Sequence, residues 1–316
     1  MTDPTQISAG PTQGVPSAPS AETAPPPGSA PQKERNASLW ADAGRELIRN
    51  PVFVISTIVV LLVMSMALLP WLWTSTDPTQ CEINFGKDRP TAGHIFGFSI
   101  QGCDYYAQAI YGSGPSIAVA VLATLGSTLI GGITGILAGY YGRWVDAVIS
   151  RFTDMVLGIP FLLGTLTLLS LVPLRNVYTV VLALIALGWP TTTRIMRASV
   201  IATRNMDYVQ AARSLGASDM RIIFRHVLPN AIAPVIVVAT IALGAYVGAE
   251  ATLTFLGVGL RPPTVSWGVM IDQGTEWVLS GVPHLLLVPV GFLVATVLSF
   301  ILMGDALRDA LDPKLR

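Results

Sequence analysis

Only a few residues in this chain have the type and setting to do chemistry. Glu250 lies inside a long apolar run, Ile232–Gly257. A carboxylate there must face a bundle interior or a watery cavity, or carry a proton. Two readings follow: a residue of a translocation pathway, or a hydrogen-bonding brace between two helices. Cys81 and Cys103 are the only cysteines. They share one polar loop, and they are either unrelated small residues or a disulfide pair. His94, His226 and His284 are scattered, and no His/Cys cluster has metal-site spacing. No G-x-x-x-x-G-K-[ST] phosphate loop is present, since Gly86-Lys87 is followed by Asp88. No nucleophile pairs with a base. The chain is therefore expected not to be an enzyme and to bind no cofactor or metal itself.

The most organised polar stretch is Asp207–Pro229, DYVQAARSLGASDMRIIFRHVLP. Tyr208, Ala211, Ala212 and Leu215 fall at i, i+3, i+4 and i+7, which makes one apolar helical face. Gln210, Arg213 and Ser214 lie off it. Gly216 is a good helix stop, and Ser218 can cap a second helix. There Met220, Ile223, Phe224 and Val227 repeat the spacing, while Arg221 and Arg225 share the other face. Leu228-Pro229 closes the element or opens the next. The spacing predicts helix, glycine turn and helix, basic on one side and apolar on the other. Such an element is either a loop whose arginines set topology or a docking element for a soluble partner.

The elements that must position these residues are membrane helices. The 316 residues are 52% hydrophobic and 12% charged, with a mean hydropathy of +0.59, whereas soluble domains carry about 25% charged residues. The formal net charge is zero, which gives no reason to expect a nucleic-acid partner. Six segments reach the ~20 residues a span needs: Val52–Trp71, Ile117–Gly139, Val145–Leu171, Val177–Ile195, Ile232–Gly257 and His284–Gly304. With the N-terminus inside, only Lys87, Arg89, Arg175 and Arg261 of the 19 Lys and Arg fall outside. The positive-inside rule thus predicts both termini and 207–229 in the cytoplasm. The loop 72–116 then faces an oxidising side, which favours a Cys81–Cys103 disulfide.

Other segments follow. Residues 1–37 are rich in Pro, Ala, Ser, Thr and Gln, and predict a disordered, dispensable tail. Residues 38–50 predict an amphipathic helix at the membrane surface, capped by Ser38, with Trp40, Ala43, Gly44 and Leu47 on one stripe. Gly131, Gly135 and Gly139, and likewise Gly244 and Gly248, are four apart, so helices can approach closely there. Arg194 and Arg197 are expected to snorkel from a helix end. The outer segment 258–283 is expected to be irregular around Pro262-Pro263, with Trp267 and Trp277 at the membrane interface.

Gln210-Ala211-Ala212, Gly216 and Leu228-Pro229 resemble the EAA loop of ABC-importer permeases, E-A-A-x3-G-x9-I-x-L-P. Gln210 stands where glutamate is usual and His226 where isoleucine is usual. Gln keeps the length of Glu without its charge, so an ion pair at that point is not expected. Four further stretches resemble signatures of the dipeptide/oligopeptide/nickel permease family. His94-Ile95-Phe96-Gly97 with Gly102-Cys103-Asp104 and Tyr111-Gly112 is one, with Cys103 in place of its Arg and Phe98-Ser99 in place of its Thr-Asp. Gly139–Asp146 is the second. Phe255-Leu256-Gly257 with Pro262-Pro263 and Ser266-Trp267-Gly268 is the third, and Gly304–Pro313 the fourth. The C-type subunit, partner of a homologous B-type subunit, fits best.

The resemblance implies an all-α, six-helix permease of the type I ABC-importer fold in a prokaryotic inner membrane. It implies a B-type permease partner, two cytoplasmic ATPase subunits that hold ATP and Mg, and an external substrate-binding protein. Tyr208, Gln210, Ala211, Ala212, Leu215, Gly216, Arg221, Arg225, Leu228 and Pro229 would couple to the ATPases. The expected cargo is a di- or oligopeptide, with nickel or another small solute as the rival. An ion-coupled secondary carrier would need several intramembrane charges and inverted repeats, and essentially one such charge is present. A non-transporting scaffold is the remaining alternative.

Overall fold

The computed structural model describes residues 39–311, with side chains from residue 44. The tail at 1–37, the Ser38 cap, the Trp40 and Ala43 side chains and residues 312–316 lie outside the described residues. Among the described residues the regular structure is helical, and β pairing is limited to three isolated bridges within 81–104. Helix α1 (Leu39–Arg49) meets α2 (Pro51–Leu68) at Asn50. Asn50 Oδ1 accepts from the Val52 N–H at 2.9 Å, and Pro51 takes the first helical position, where no N–H is needed. Helix α2 is apolar all round, and its Ile55, Ile58 and Leu61 are exposed on the isolated chain. That pattern belongs to a membrane span.

Helix α3 (Tyr105–Tyr141) has 37 residues, roughly 55 Å at 1.5 Å per residue, well beyond a ~30 Å hydrocarbon core. It begins before the expected start at Ile117, so residues 105–116 are helix rather than loop. Gly112, Gly114 and Pro115 read as breakers, but two things override them. Asp104 Oδ1 caps the helix by accepting from the Ala107 N–H at 2.7 Å. Gly112 also packs closely, a Cβ there coming within 3.5 Å of Val265 Cγ1.

The long partner of α3 is α6 (Val177–Arg204), opened by a capping box between Asn176 and Thr179. The glycine ridge of α3 seats it. A Cβ on Gly131, Gly135 or Gly139 would lie 2.6–2.8 Å from Thr192, Met196 or Val200 respectively. The second glycine pair divides. A Cβ on Gly244 would lie 2.9 Å from the Val297 carbonyl oxygen, while a Cβ on Gly248 would meet nothing within 4 Å.

The expected third span, Val145–Leu171, is broken. Helices α4 (Arg143–Leu157) and α5 (Phe161–Leu171) meet at 82°. Gly158 ends α4, and Pro160, which lacks an N–H, precedes α5. Among the described residues, five helices are thus long and apolar enough to cross a membrane, or six if this bent pair is one span. Helix α4 also corrects the snorkelling expectation. Its Asp146 and Asp154, two turns apart, pair with Arg197 and Arg194, each with a 2.6 Å contact.

Helices α7 (Asp207–Ser214), α8 (Asp219–Ile222) and α9 (Leu228–Ala231) precede α10 (Ala233–Phe255). Helices α11 (Trp267–Thr275) and α12 (His284–Leu311) complete the chain. Helix α11 lies where irregular chain was expected, because Ser266 caps it, accepting from the Val269 N–H at 3.2 Å. Trp267 is not interfacial. It is 0% exposed, stacks on Phe292 at 5.9 Å, and its Nε1–H donates to the Ala109 carbonyl at 3.0 Å. A satisfied indole N–H lets the whole ring join the core with Tyr105, Leu184, Tyr246 and Leu253.

Candidate functional site

The 207–229 element forms the helix, turn and helix expected. Gly216 has φ +81°, in the left-handed region, and a Cβ there would meet nothing within 4 Å, so backbone conformation alone favours glycine. The Ala217 N–H donates back to the Ala212 carbonyl at 3.1 Å and closes the turn. One side of the element is anchored. Val209, Ile222, Ile223 and Val227 are buried with Tyr140, Met196 and Val200. The other side is open: Tyr208, Leu215, Met220 and Phe224 are exposed apolar residues, Leu215 at 88%. Ala211, Gln210, Arg221 and Arg225 are exposed as well, and Ala212 and Leu228 are half-buried. Partial burial of its ring pushes the Tyr208 hydroxyl above its ordinary pKa.

The first apolar face therefore points outward, as its spacing drew it. The second does not hold together. Of Met220, Ile223, Phe224 and Val227, two are buried and two exposed, because the stripe straddles the boundary between the packed and the open side. Residues Ile223–Val227 form a wide π turn, with the Leu228 N–H bonded to the Ile223 carbonyl. Each π turn takes up one extra residue, which shifts the helical phase. Pro229, which has no N–H to donate, sits just beyond that turn. Asn230 Nδ2 donates to the His226 carbonyl at 2.7 Å.

Contacts that spacing did not reveal fasten this element to the end of α3. The Tyr140 hydroxyl donates to Asp219 Oδ1 at 2.6 Å. Arg204 Nη1 donates to the carbonyls of Gly139 and Tyr140 at 2.7 and 2.9 Å, satisfying acceptors that a helix end leaves open. The Gly139–Asp146 motif was the available signal, but it names no partner.

Glu250 is 0% exposed. Ser116 Oγ donates to its Oε2 at 3.1 Å. Thr254 Oγ1 and Ser266 Oγ donate to its Oε1 at 3.0 and 3.1 Å. Each hydroxyl in turn accepts a backbone N–H: from Trp267 to Ser116, Leu260 to Thr254, and Val269 to Ser266. The carboxylate thus collects α3, α10 and the start of α11. Of the two sequence readings, this is the geometry of a brace.

The third feature is the loop between α2 and α3. Cys81 and Cys103 are joined by a disulfide, and His94 Nδ1 lies 2.6 Å from Asp104 Oδ2. The disulfide and the His94–Asp104 contact both hold the loop against the cap of α3. Among the described residues, no group of three or more His, Cys, Asp and Glu could hold a metal ion.

Residues 131–316 match the family described as binding-protein-dependent transport system inner membrane component. The chain belongs to this family. Residues 38–88 match the N-terminal TM domain of oligopeptide transport permease C. The dipeptide transport system permease protein DppC of Alkalihalophilus pseudofirmus is 32% identical over 294 residues, covering 92% of this chain and 96% of that protein. DppC of Bacillus subtilis is 35% identical over 284 residues, covering 90% and 88%. The oligopeptide permease OppC of the same organism is 32% identical over 283 residues, covering 90% and 92%. The relatives are permease subunits rather than enzymes, and this chain is a multi-pass membrane permease.

A chain of the MetNI methionine ABC transporter, in an inward-facing conformation, superposes with TM-score 0.52 at 19% identity. That match covers 65% of this chain and 96% of that one, and shows the ABC-importer permease fold. The family match takes in both the 207–229 element and Glu250.

Proposed function

We propose that this chain is one permease subunit of an ATP-driven importer of di- and oligopeptides. It forms half of the translocation path, and a homologous B-type permease forms the other half. A binding protein delivers peptide outside, and two ATPase subunits dock inside on Tyr208, Ala211, Leu215, Met220 and Phe224. The charge distribution supports a cytoplasmic position for this element, and the names of the dipeptide and oligopeptide relatives support the cargo.

One observation carries the reading: apolar side chains outside the spans are exposed on one side while the opposite side of the same element is firmly packed. Such a patch marks an interaction surface. Firm packing lets a push on the outer side reach α3, α6 and α10, through Tyr140, Met196, Val200 and Val235. The test is ATPase activity of the full complex in lipid with its binding protein. Stimulation by short peptides and not by nickel is expected. Stimulation by nickel alone would overturn the peptide cargo, and ATPase indifferent to Ala212→Asp would overturn the docking surface.

A further inference from the structure

A long groove runs along the first half of α12. It has a volume of about 800 Å3 and an almost wholly apolar lining. Leu287, Gly291 and Ala295 follow one face of the helix, at spacings of four. Phe96 forms a side wall, edge-on to Phe292 at 6.1 Å. The groove is open on the isolated chain. Leu287 is 64% exposed, and a Cβ on Gly291 would meet nothing within 4 Å.

Its ends differ. At the start of α12, Arg89 lines the groove. Arg89 Nη2 donates to the Gly281 carbonyl at 3.2 Å, which fixes the guanidinium at the mouth while its side chain stays exposed. Lys87, two residues back, lies over the Trp277 ring at 3.8 Å and does not line the groove. No carboxylate lines the groove. The groove face from His284 to Ala295 is roughly 16 Å long at 1.5 Å per residue, about one leaflet of a ~30 Å hydrocarbon core.

We propose that this groove is a binding site for an anionic phospholipid. One acyl chain lies along Leu287, Gly291 and Ala295, between Phe96 and Phe292, and the phosphate rests on Arg89. A cation at one end of an apolar channel one leaflet long complements a lipid, whose charge and chain are arranged in that order. The planar guanidinium suits a phosphate, and with no carboxylate lining the groove its charge favours a headgroup that is net negative.

The test uses the purified transporter containing this chain, in mild detergent. Phosphatidylglycerol, phosphatidylcholine or inorganic phosphate is added, and bound lipid is counted by native mass spectrometry alongside Tm. Phosphatidylglycerol should be retained severalfold more than phosphatidylcholine and should raise Tm, while inorganic phosphate should leave Tm unchanged. Arg89→Gln should erase the preference between the two lipids. Gly291→Leu, which fills the open groove, should remove retention of both, with basal ATPase activity intact. Equal retention of the two lipids by the wild-type complex would overturn the proposal. So would wild-type retention in both variants, or a Tm shift reproduced by phosphate alone. Loss of the second permease from the Gly291→Leu complex, with lipid retention unchanged, would make the groove a subunit interface instead.

Discussion

Glu250 and Leu215 are each set in surroundings opposite to their own character, and the chain treats them in opposite ways. Glu250 is a carboxylate among apolar helices, and the chain surrounds it with three hydroxyls at 3.0–3.1 Å. Leu215 is an apolar side chain in a polar turn, and the chain leaves it 88% exposed. A polar group cut off from water must be satisfied within the fold, since a lost partner destabilises by about 1–3 kcal/mol. An apolar group facing water forgoes the gain of burial but leaves no hydrogen bond unmade, so it can stay uncovered in a folded chain. The polar groups around Glu250 are thus satisfied within one chain, whereas the open side of 207–229 is left uncovered by it.

That contrast can be broken at four points, from the largest effect on stability to the smallest. Glu250→Ala should destabilise by about 3 kcal/mol, because three buried hydroxyls lose their common acceptor. Thermal unfolding of the purified complex would register it as a lower Tm and a lower yield, with Glu250→Gln much milder. An unchanged Tm in Glu250→Ala would mean that the carboxylate braces nothing. Gly135→Val should cost about 2 kcal/mol by overpacking, since its Cβ would sit 2.7 Å from Met196 Cβ and 2.8 Å from the Thr193 carbonyl oxygen. Gly248→Val, with open space around it, is the matched control, and equal losses at both sites would remove the ridge from the account.

Leu215→Asp should change stability by no more than about 0.5 kcal/mol, as exposed substitutions do, yet reduce transport at least tenfold at normal membrane abundance. Uptake assays set against immunoblots would decide it, and normal uptake would end the idea that this surface docks an ATPase. Gln210→Glu should be the gentlest, with Tm unchanged and any gain in peptide-stimulated ATPase no more than severalfold. A large loss would show that the neutral side chain at this exposed position is required.

Much was legible along the sequence because bilayer length and helical period are local properties. The spans Val177–Ile195, Ile232–Gly257 and His284–Gly304 lie within or nearly coincide with α6, α10 and α12. Gly216 stood out as a turn for the same reason: a left-handed residue is a one-residue requirement. Where packing outweighs local signals, the sequence misled. Gly112 and Pro115 read as the end of a loop and lie inside α3. Pro160, in contrast, was legible as a proline able to kink its span, and the helix breaks there by 82°.

Sequence alone determined the class of molecule: apolar spans, an uneven charge distribution between their flanks, and one short element with helical periodicity and a glycine turn. Composition and spacing suffice for these, because water, lipid and backbone geometry act on each segment separately. Only the tertiary structure decided which face of 207–229 is anchored, since Val209, Ile222, Ile223 and Val227 are buried by packing on Tyr140, Met196 and Val200 from distant helices. Only it paired Asp154 with Arg194 and gathered Ser116, Thr254 and Ser266 around Glu250. Ser116 and Ser266 are far apart in the chain, and no local rule relates them. They meet because three helices must pack together without leaving a buried carboxylate unsatisfied.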